Sequence, residues 1–388
     1  MKALNNCPSS RCSSPPQDLY VPRERQQSKK RTLETKFLDS YSCLGPILSP
    51  CSEEVPNGIE LSTTYLGLPL RNPLVVSASP LCEDLANLRA MEDAGAAAIV
   101  LQSLFEEQLT QGSQDRSPGT PPGKEGTPEG QESSLNMARY NQGPEGYLEH
   151  VRRAKAEVGI PVIASLNGST PGGWVRYARE IEKAGADALE LNVYYVPNSP
   201  EVTGATIEQM YCDLVALVKA QVRIPVAVKL APYFSSLPNM ANRLDQAGAE
   251  ALVLFNRFYQ PDFNLDDRGI TPTLTLSNPQ ELLLRLHWVA VLHGRLRADL
   301  AITGGIHTAQ DVVKALMAGA RAAMLTSALL EHGIGYLVPL RDDLVRWLGD
   351  HGFKSVQDIW GRMSRQAVPD PDAFERANYM MVGHVFRL

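Results

Sequence analysis

The chain has 388 residues, 44% of them hydrophobic, enough to build one large α/β barrel or two ordinary domains around a sizeable core. A formal net charge of -6, with lysines and arginines spread along the chain, offers no basic stripe to nucleic acid or to an anionic membrane surface. No apolar run reaches the roughly 18 residues of a membrane span, and the polar start predicts no secretory leader, so small-molecule chemistry in the cytoplasm is the expectation.

Residues 1–57 are rich in Ser, Pro, Arg and Gln and read as a disordered N-terminal extension. They hold Cys7, Cys12, Cys43 and Cys51, at spacings that match neither a zinc ribbon nor an iron–sulfur cluster. Cys82 and Cys212 are the remaining two of the six cysteines, so no disulfide framework and no metal site are expected. The stretch "STTYLGLPLRNP" (62–73) alternates and turns at Gly67, which predicts a hairpin closing the floor of the domain.

Eight short apolar runs follow: "LVVSA" (74–78), "AAIVLQS" (97–103), "PVIASLN" (161–167), "ALELN" (188–192), "PVAVKLA" (225–231), "ALVLFN" (251–256), "DLAITGG" (299–305) and "AAMLTS" (322–327). Amphipathic helical segments separate them, the pattern of a closed parallel (β/α)8 or TIM barrel over residues 58–335, with a doubly wound open sheet as runner-up. The helices share one ending, "DAGAAAIV", "KAGADALEL", "QAGAEALVL" and "MAGARAAML", whose glycine fits a helix C′ position before each strand. The Gly-, Pro- and Ser-dense stretch 110–134 is a long mobile loop, either a lid or plain disorder. Residues 336–388 supply extra C-terminal helices, around 336–349 and 355–364, and a tail packed on the barrel.

In such a barrel the residues that close each strand at its C-terminal end form the site. They are Ser77 and Ser79, Gln102 and Ser103, Asn167, Asn192, Lys229, Asn256, Thr303 with Gly304 and Gly305, and Thr326 with Ser327. This set of amides and hydroxyls with one cation suits a planar, hydrogen-bonding ligand better than metal-assisted hydrolysis. Gly304 and Gly305 after the seventh strand and Thr326 and Ser327 after the eighth sit where barrels bind phosphate, or else make a tight turn and a helix cap. Lys229 needs an anionic partner there, which leaves open a reduced flavin, a carboxylate such as Glu190, or a role as a Schiff-base nucleophile.

These residues resemble the dihydroorotate dehydrogenase family, class 1, over roughly residues 59–330. The resemblance rests on "LGLPLRNPLVVSASP", "LELN", "VKLAPYF", "GGIHTAQDV" and "LTSALL". A dihydroorotate dehydrogenase-like subgroup also shares "SLFEEQ", "ASLNG", "PGGW", "LVLFNRFYQPD" and the closing segment at 368–380. The resemblance implies an FMN-dependent oxidoreductase acting on CH–CH groups, by default dihydroorotate to orotate in pyrimidine metabolism. Ala78, Ser79, Gln102 and Ser103 would lie on the flavin side, Asn167 and Asn192 on its ring and ribityl chain, and Lys229 at the N1–C2 edge. Gly304, Gly305, Thr326 and Ser327 would hold the phosphate, and Asn256 would face the substrate ring. By their own chemistry and place at the mouth, Asn198 and Arg257 are further substrate-binding candidates, Arg257 as a bidentate carboxylate clamp or else a solvated loop arginine.

The chain departs from the family pattern at three points. Gln102-Ser103 replaces a Lys-Ser or Lys-Thr pair, and no Asn-x-Met-Gly-Leu substrate loop precedes "GPEGYL" (143–148). The segment that carries the catalytic Cys in the family reads "LNVYYVPN" (191–198), which puts Tyr194 and Tyr195 forward as acid–base or as stacking groups. A small-molecule substrate, a homodimer and a redox partner protein are the expected partners. An FMN-bound electron-transfer or regulatory protein, and a Schiff-base barrel lyase, are the competing readings.

Overall fold

The computed structural model describes residues 58–106, 108, 143–168, 171–257, 262–265, 268–271, 275–368 and 371. The expected extension 1–57, the loop 110–134 and most of the closing segment 368–380 lie outside the described residues.

The hairpin pairs β1 (Thr63–Tyr65) with β2 (Leu68–Leu70). Leu66 and Gly67 both have positive φ at its tip, the two-residue turn whose twist matches antiparallel strands. Eight parallel strands then close a barrel: β3 (Leu74–Val76), β4 (Ala98–Val100), β6 (Val162–Gly168), β7 (Ala188–Val193), β8 (Val226–Leu230), β9 (Ala251–Leu254), β12 (Asp299–Thr303) and β13 (Ala322–Leu325). Pairing of β13 with β3 and of β4 with β6 completes the ring. The short β5 (Leu104–Phe105) adds to β6, and β10 (Asp262–Asn264) with β11 (Gly269–Thr271) forms an outlying hairpin.

Helices cover the outside: α1 (Leu85–Asp93), α2 (Gly143–Glu157), α3 (Pro171–Lys183), α4 (Gly204–Lys219), α5 (Leu237–Ala247), α6 (Leu282–Leu292), α7 (Ala309–Ala318) and α8 (Ser327–His332). Alternation along the strands sorts the core into two layers. Leu189, Leu191, Val228, Leu252 and Ile302 face the helices, whereas Ala188, Ala227, Ala251, Ala301 and Ala322 face the barrel axis. Those alanines leave a hollow that the strands cannot fill by themselves. Tyr65 from the hairpin enters it, and Asp299 accepts a hydrogen bond from the Leu66 amide at 2.9 Å, pinning the hairpin to the barrel floor.

Acidic residues at the strand starts make a second repeated device. Asp187 accepts from the Val162 amide at 2.7 Å and Glu250 from the Val226 amide at 2.9 Å, each ion-paired to a lysine, Lys155 or Lys219, of a preceding helix. Each carboxylate therefore stitches its own strand to the neighbouring one. Two C-terminal helices, α9 (Leu337–Asp350) and α10 (Val356–Ile359), extend the outer layer. Leu337, Leu340, Leu344 and Leu348 form the buried stripe of α9, which packs on α7.

The four recurring glycines, Gly95, Gly185, Gly248 and Gly319, all have positive φ at the helix ends. Gly319 is also sterically tight: a Cβ there would stand 2.3 Å from His293 Nδ1, against 3.3 Å from the flexible Lys219 Cγ at Gly248. Both Gly319→Ala and Gly248→Ala are expected to destabilise by on the order of 1–3 kcal/mol through backbone strain, with Gly319→Ala the worse of the two. Urea midpoints of the two variants check the order.

Candidate active site

The C-terminal ends of five barrel strands open into one cavity. Its wall includes Ser77, Ala78 and Ser79 after β3, Lys229 on β8, and Asn256 and Arg257 after β9. Thr303, Gly304 and Gly305 close the wall at β12, and Thr326 and Ser327 at β13. Eleven predicted site residues thus share a single concavity: Ser77, Ala78, Ser79, Lys229, Asn256, Arg257, Thr303, Gly304, Gly305, Thr326 and Ser327. Gln102, Ser103, Asn167, Asn192, Tyr194, Tyr195 and Asn198 are not part of that wall.

Strand register nevertheless joins several of the second group to the first. Asn167 on β6 pairs with Asn192 on β7, and Asn192 with Lys229 on β8, so the three stand in one row across adjacent strands. Asn256 donates from Nδ2 to Asn192 Oδ1 at 2.6 Å, tying this row to the cavity. Ser103 and Ser165 share a hydroxyl contact of 2.8 Å, as Ser77 and Thr303 do at 3.1 Å. Gln102 is buried, and its Oε1 has no hydrogen-bond partner among the described residues, an acceptor that a ligand N–H would satisfy. Tyr194 and Tyr195 follow directly after β7, partly exposed, and Asn198 is exposed beyond them.

The anion end of the cavity is built around a residue that sequence reading passed over. Ser277 Oγ accepts from the Gly305 amide at 3.1 Å and donates to Ser327 Oγ at 2.8 Å, and the Ser277 amide also donates to Ser327 Oγ at 2.9 Å. One buried serine therefore clasps the turn after β12 to the start of α8. Gly304 and Gly305 have φ of +87° and +81°, and a Cβ on Gly305 would lie 2.5 Å from the Leu282 amide nitrogen, so backbone conformation and space both demand glycine.

Arg285 was also missed, because an arginine inside the apolar run of α6 carries no motif. It is buried, donates from Nε to Thr303 O at 2.6 Å and from Nη1 to Glu281 O at 2.5 Å. Burial lowers its pKa, yet an arginine stays charged, so it brings a cation beneath the Gly304 turn. Arg257 faces the cavity with two of its five N–H donors engaged, one to Thr275 O and one to Glu281 Oε1 at 3.3 Å.

Lys229 is buried and stands 3.5 Å from Glu190 Oε1, so the carboxylate partner foreseen as one alternative is present. Neither cysteine of the barrel is a ready base. Burial pushes the Cys82 thiol up to about 11 and raises that of Cys212 as well. Among the described residues, no cluster of His, Cys, Asp and Glu is placed to hold a metal ion, and no helix is long and apolar enough to cross a membrane.

A family profile described as dihydroorotate dehydrogenase matches residues 60–348, nearly the whole barrel and the helices on it. The chain belongs to the dihydroorotate dehydrogenase family. Among its relatives is the dihydroorotate dehydrogenase B (NAD(+)), catalytic subunit, of Thermoplasma acidophilum, 29% identical over 78% of this chain and 98% of that protein. The subunit of the same name from Methanothermobacter thermautotrophicus is 27% identical over 78% of this chain and 97% of its own length. That from Pyrococcus abyssi is 27% identical over 78% and 98%.

Membership makes this chain an FMN-dependent oxidoreductase of CH–CH groups, built on a TIM barrel. It also sets aside the lyase alternative. The donor set fits the cofactor: a row of two amides and a lysine for a polar planar edge, an orphaned acceptor at Gln102, and a glycine turn where any Cβ would collide.

Ser277→Ala leaves the Gly305 amide and Ser327 hydroxyl short of a partner. It is expected to cost about 1–3 kcal/mol of stability and to weaken FMN retention, measured by urea unfolding and by flavin release on dialysis.

Proposed function

We propose that this protein transfers a hydride between dihydroorotate, or a close ring analogue, and FMN. The observation that carries this reading is the single cavity shared by Lys229, the Gly304–Gly305 turn and Ser327, with polar groups suited to both ends of a phosphate-bearing flavin. FMN, when bound, accepts a hydride at its N5 atom.

The chain's residues divide the remaining tasks. Gly304, Gly305, Thr326 and Ser327 hold the phosphate, with Ser277 fixing the spacing between the two turns and Arg285 supplying charge from behind. Asn167, Asn192 and Gln102 receive the polar atoms of the ring and ribityl chain, while Ala78, Ser79 and Ser103 line its other side. Lys229 stabilises negative charge at the N1–C2 edge. Asn256, already bonded to Asn192, and Arg257 orient substrate next to the ring, with Asn198 at the outer edge. Tyr194 or Tyr195 takes the proton from the substrate carbon next to the one that loses hydride, the task of a cysteine in the family pattern.

A second reading draws on that replacement. The segment 191–198 contains no Cys, Ser or Thr, and both barrel cysteines are buried with raised pKa values, so an FMN-bound protein that passes electrons to a partner is the alternative. A homodimer, a redox partner protein and a cytoplasmic location belong to the proposal by resemblance to the class.

Anaerobic mixing with dihydroorotate decides between the readings: bleaching of the flavin band supports the dehydrogenase, and an unchanged spectrum over a range of substrate concentrations sinks it. Lys229→Ala should weaken FMN binding roughly tenfold or more, the loss of one charge-assisted contact. Equilibrium titration of apoprotein with FMN measures this, and wild-type affinity would remove Lys229 from the cofactor site.

A further inference from the structure

Inside the barrel, below the cavity, lies a charge that none of these assignments uses. Glu190 on β7 is completely buried, and neither of its carboxylate oxygens has a hydrogen-bond partner among the described residues. A bare carboxylate is costly in a protein interior unless an opposite charge stands beside it. Lys229 Nζ, 3.5 Å from Oε1, is that charge.

Register explains how the two meet. Glu190 is level with Ala227, and Lys229 with Asn192, so the lysine belongs to the next inward-facing row, nearer the mouth. The small side chain of Ala227 leaves room for the ammonium to reach back toward the carboxylate. From the floor, the buried Tyr65 hydroxyl also lacks a hydrogen-bond partner, and its pKa is raised first by burial and then by the charges of Glu190 and Asp299. Glu190 therefore has a phenol on the floor side and an ammonium on the mouth side, and only the ammonium neutralises it.

Resting on the reading of this cavity as an FMN site, we infer that Glu190 is a positioning residue that sets how much positive charge Lys229 presents to the flavin, and so tunes the reduction potential. Lys229 faces two anions in turn. Paired with Glu190 it acts on the ring as one end of a dipole, whose field falls off faster than that of a lone ammonium. Negative charge that a bound flavin would carry when reduced would compete with Glu190 for Lys229. A carboxylate in this place holds the potential below the value that an unpaired lysine would set, and ties the lysine to one position.

Glu190→Gln keeps the shape and removes the charge. Holoprotein with this substitution, titrated against a reference dye, is expected to show a more positive FMN midpoint potential than wild type. Equivalently, the preference for reduced over oxidised FMN rises on the order of tenfold, the effect of one nearby charge. A Glu190→Gln holoprotein with the wild-type potential overturns the inference and leaves the FMN reading intact. Protein that takes up no FMN in either form overturns both.

The pairing itself is checked in apoprotein by urea unfolding. Lys229→Met, which strands the carboxylate, should be strongly destabilised, and the double variant Glu190→Gln/Lys229→Met should regain most of the loss. A Lys229→Met apoprotein as stable as wild type overturns the charge coupling.

Discussion

Closure of eight parallel strands into one ring is the constraint from which the site follows. Once β13 pairs with β3 and β4 with β6, every strand presents its C-terminal end at the same rim, and alternate residues of every strand point at the axis. Residues far apart in sequence, such as Ser77 and Thr303, come within 3.1 Å because their strands are tied to common neighbours. Axis-facing residues change character along the strands. They are alanines and a few larger apolar residues near the floor and mostly polar groups near the mouth, Lys229 among them, with Glu190 between.

That gradient has a cost at each end. The alanine layer would leave a void, and the hairpin residue Tyr65 fills it, held by the bond from the Leu66 amide to Asp299. At the mouth, buried polar atoms need partners, and most find them within the protein: Asn192 with Asn256, Ser103 with Ser165, Ser327 with Ser277. Gln102 Oε1 and the Glu190 carboxylate are exceptions, with no hydrogen-bond partner among the described residues. Unsatisfied polar atoms are scarce in folded interiors, and Gln102 ends a barrel strand where a ligand N–H would satisfy it.

The anion end shows how a loop site is made stiff. Glycines give the turn after β12 its shape, yet it is the Ser277 hydroxyl that fixes this turn against Ser327, and the Arg285 guanidinium that supports it through Thr303 O. Both supporting residues come from the segment between β11 and β12, outside the strand-end positions where barrel logic directs attention. They act through backbone groups, and no spacing rule exposes that. Arg257 illustrates the converse: its place at the mouth was legible, but not that Thr275 and Glu281 would each take one of its donors.

By itself the sequence determined the alternation of parallel strands and covering helices, because short apolar runs with a repeated Ala-Gly-Ala helix ending can bury their surfaces only in that arrangement; the pairings of β13 with β3 and of β4 with β6 decided that the sheet closes. The sequence also determined the chemistry at the strand ends, since a strand's last residues reach the rim whatever the neighbouring loops do. Tertiary structure alone decided which of those residues share a cavity, which donors remain free, and what faces Lys229. Those outcomes depend on register and on contacts between segments separated by tens to hundreds of residues, and local periodicity carries no information about either. Tyr194 and Tyr195 mark the boundary: their position after β7 was readable, but the direction of their side chains depends on a chain that has left its strand.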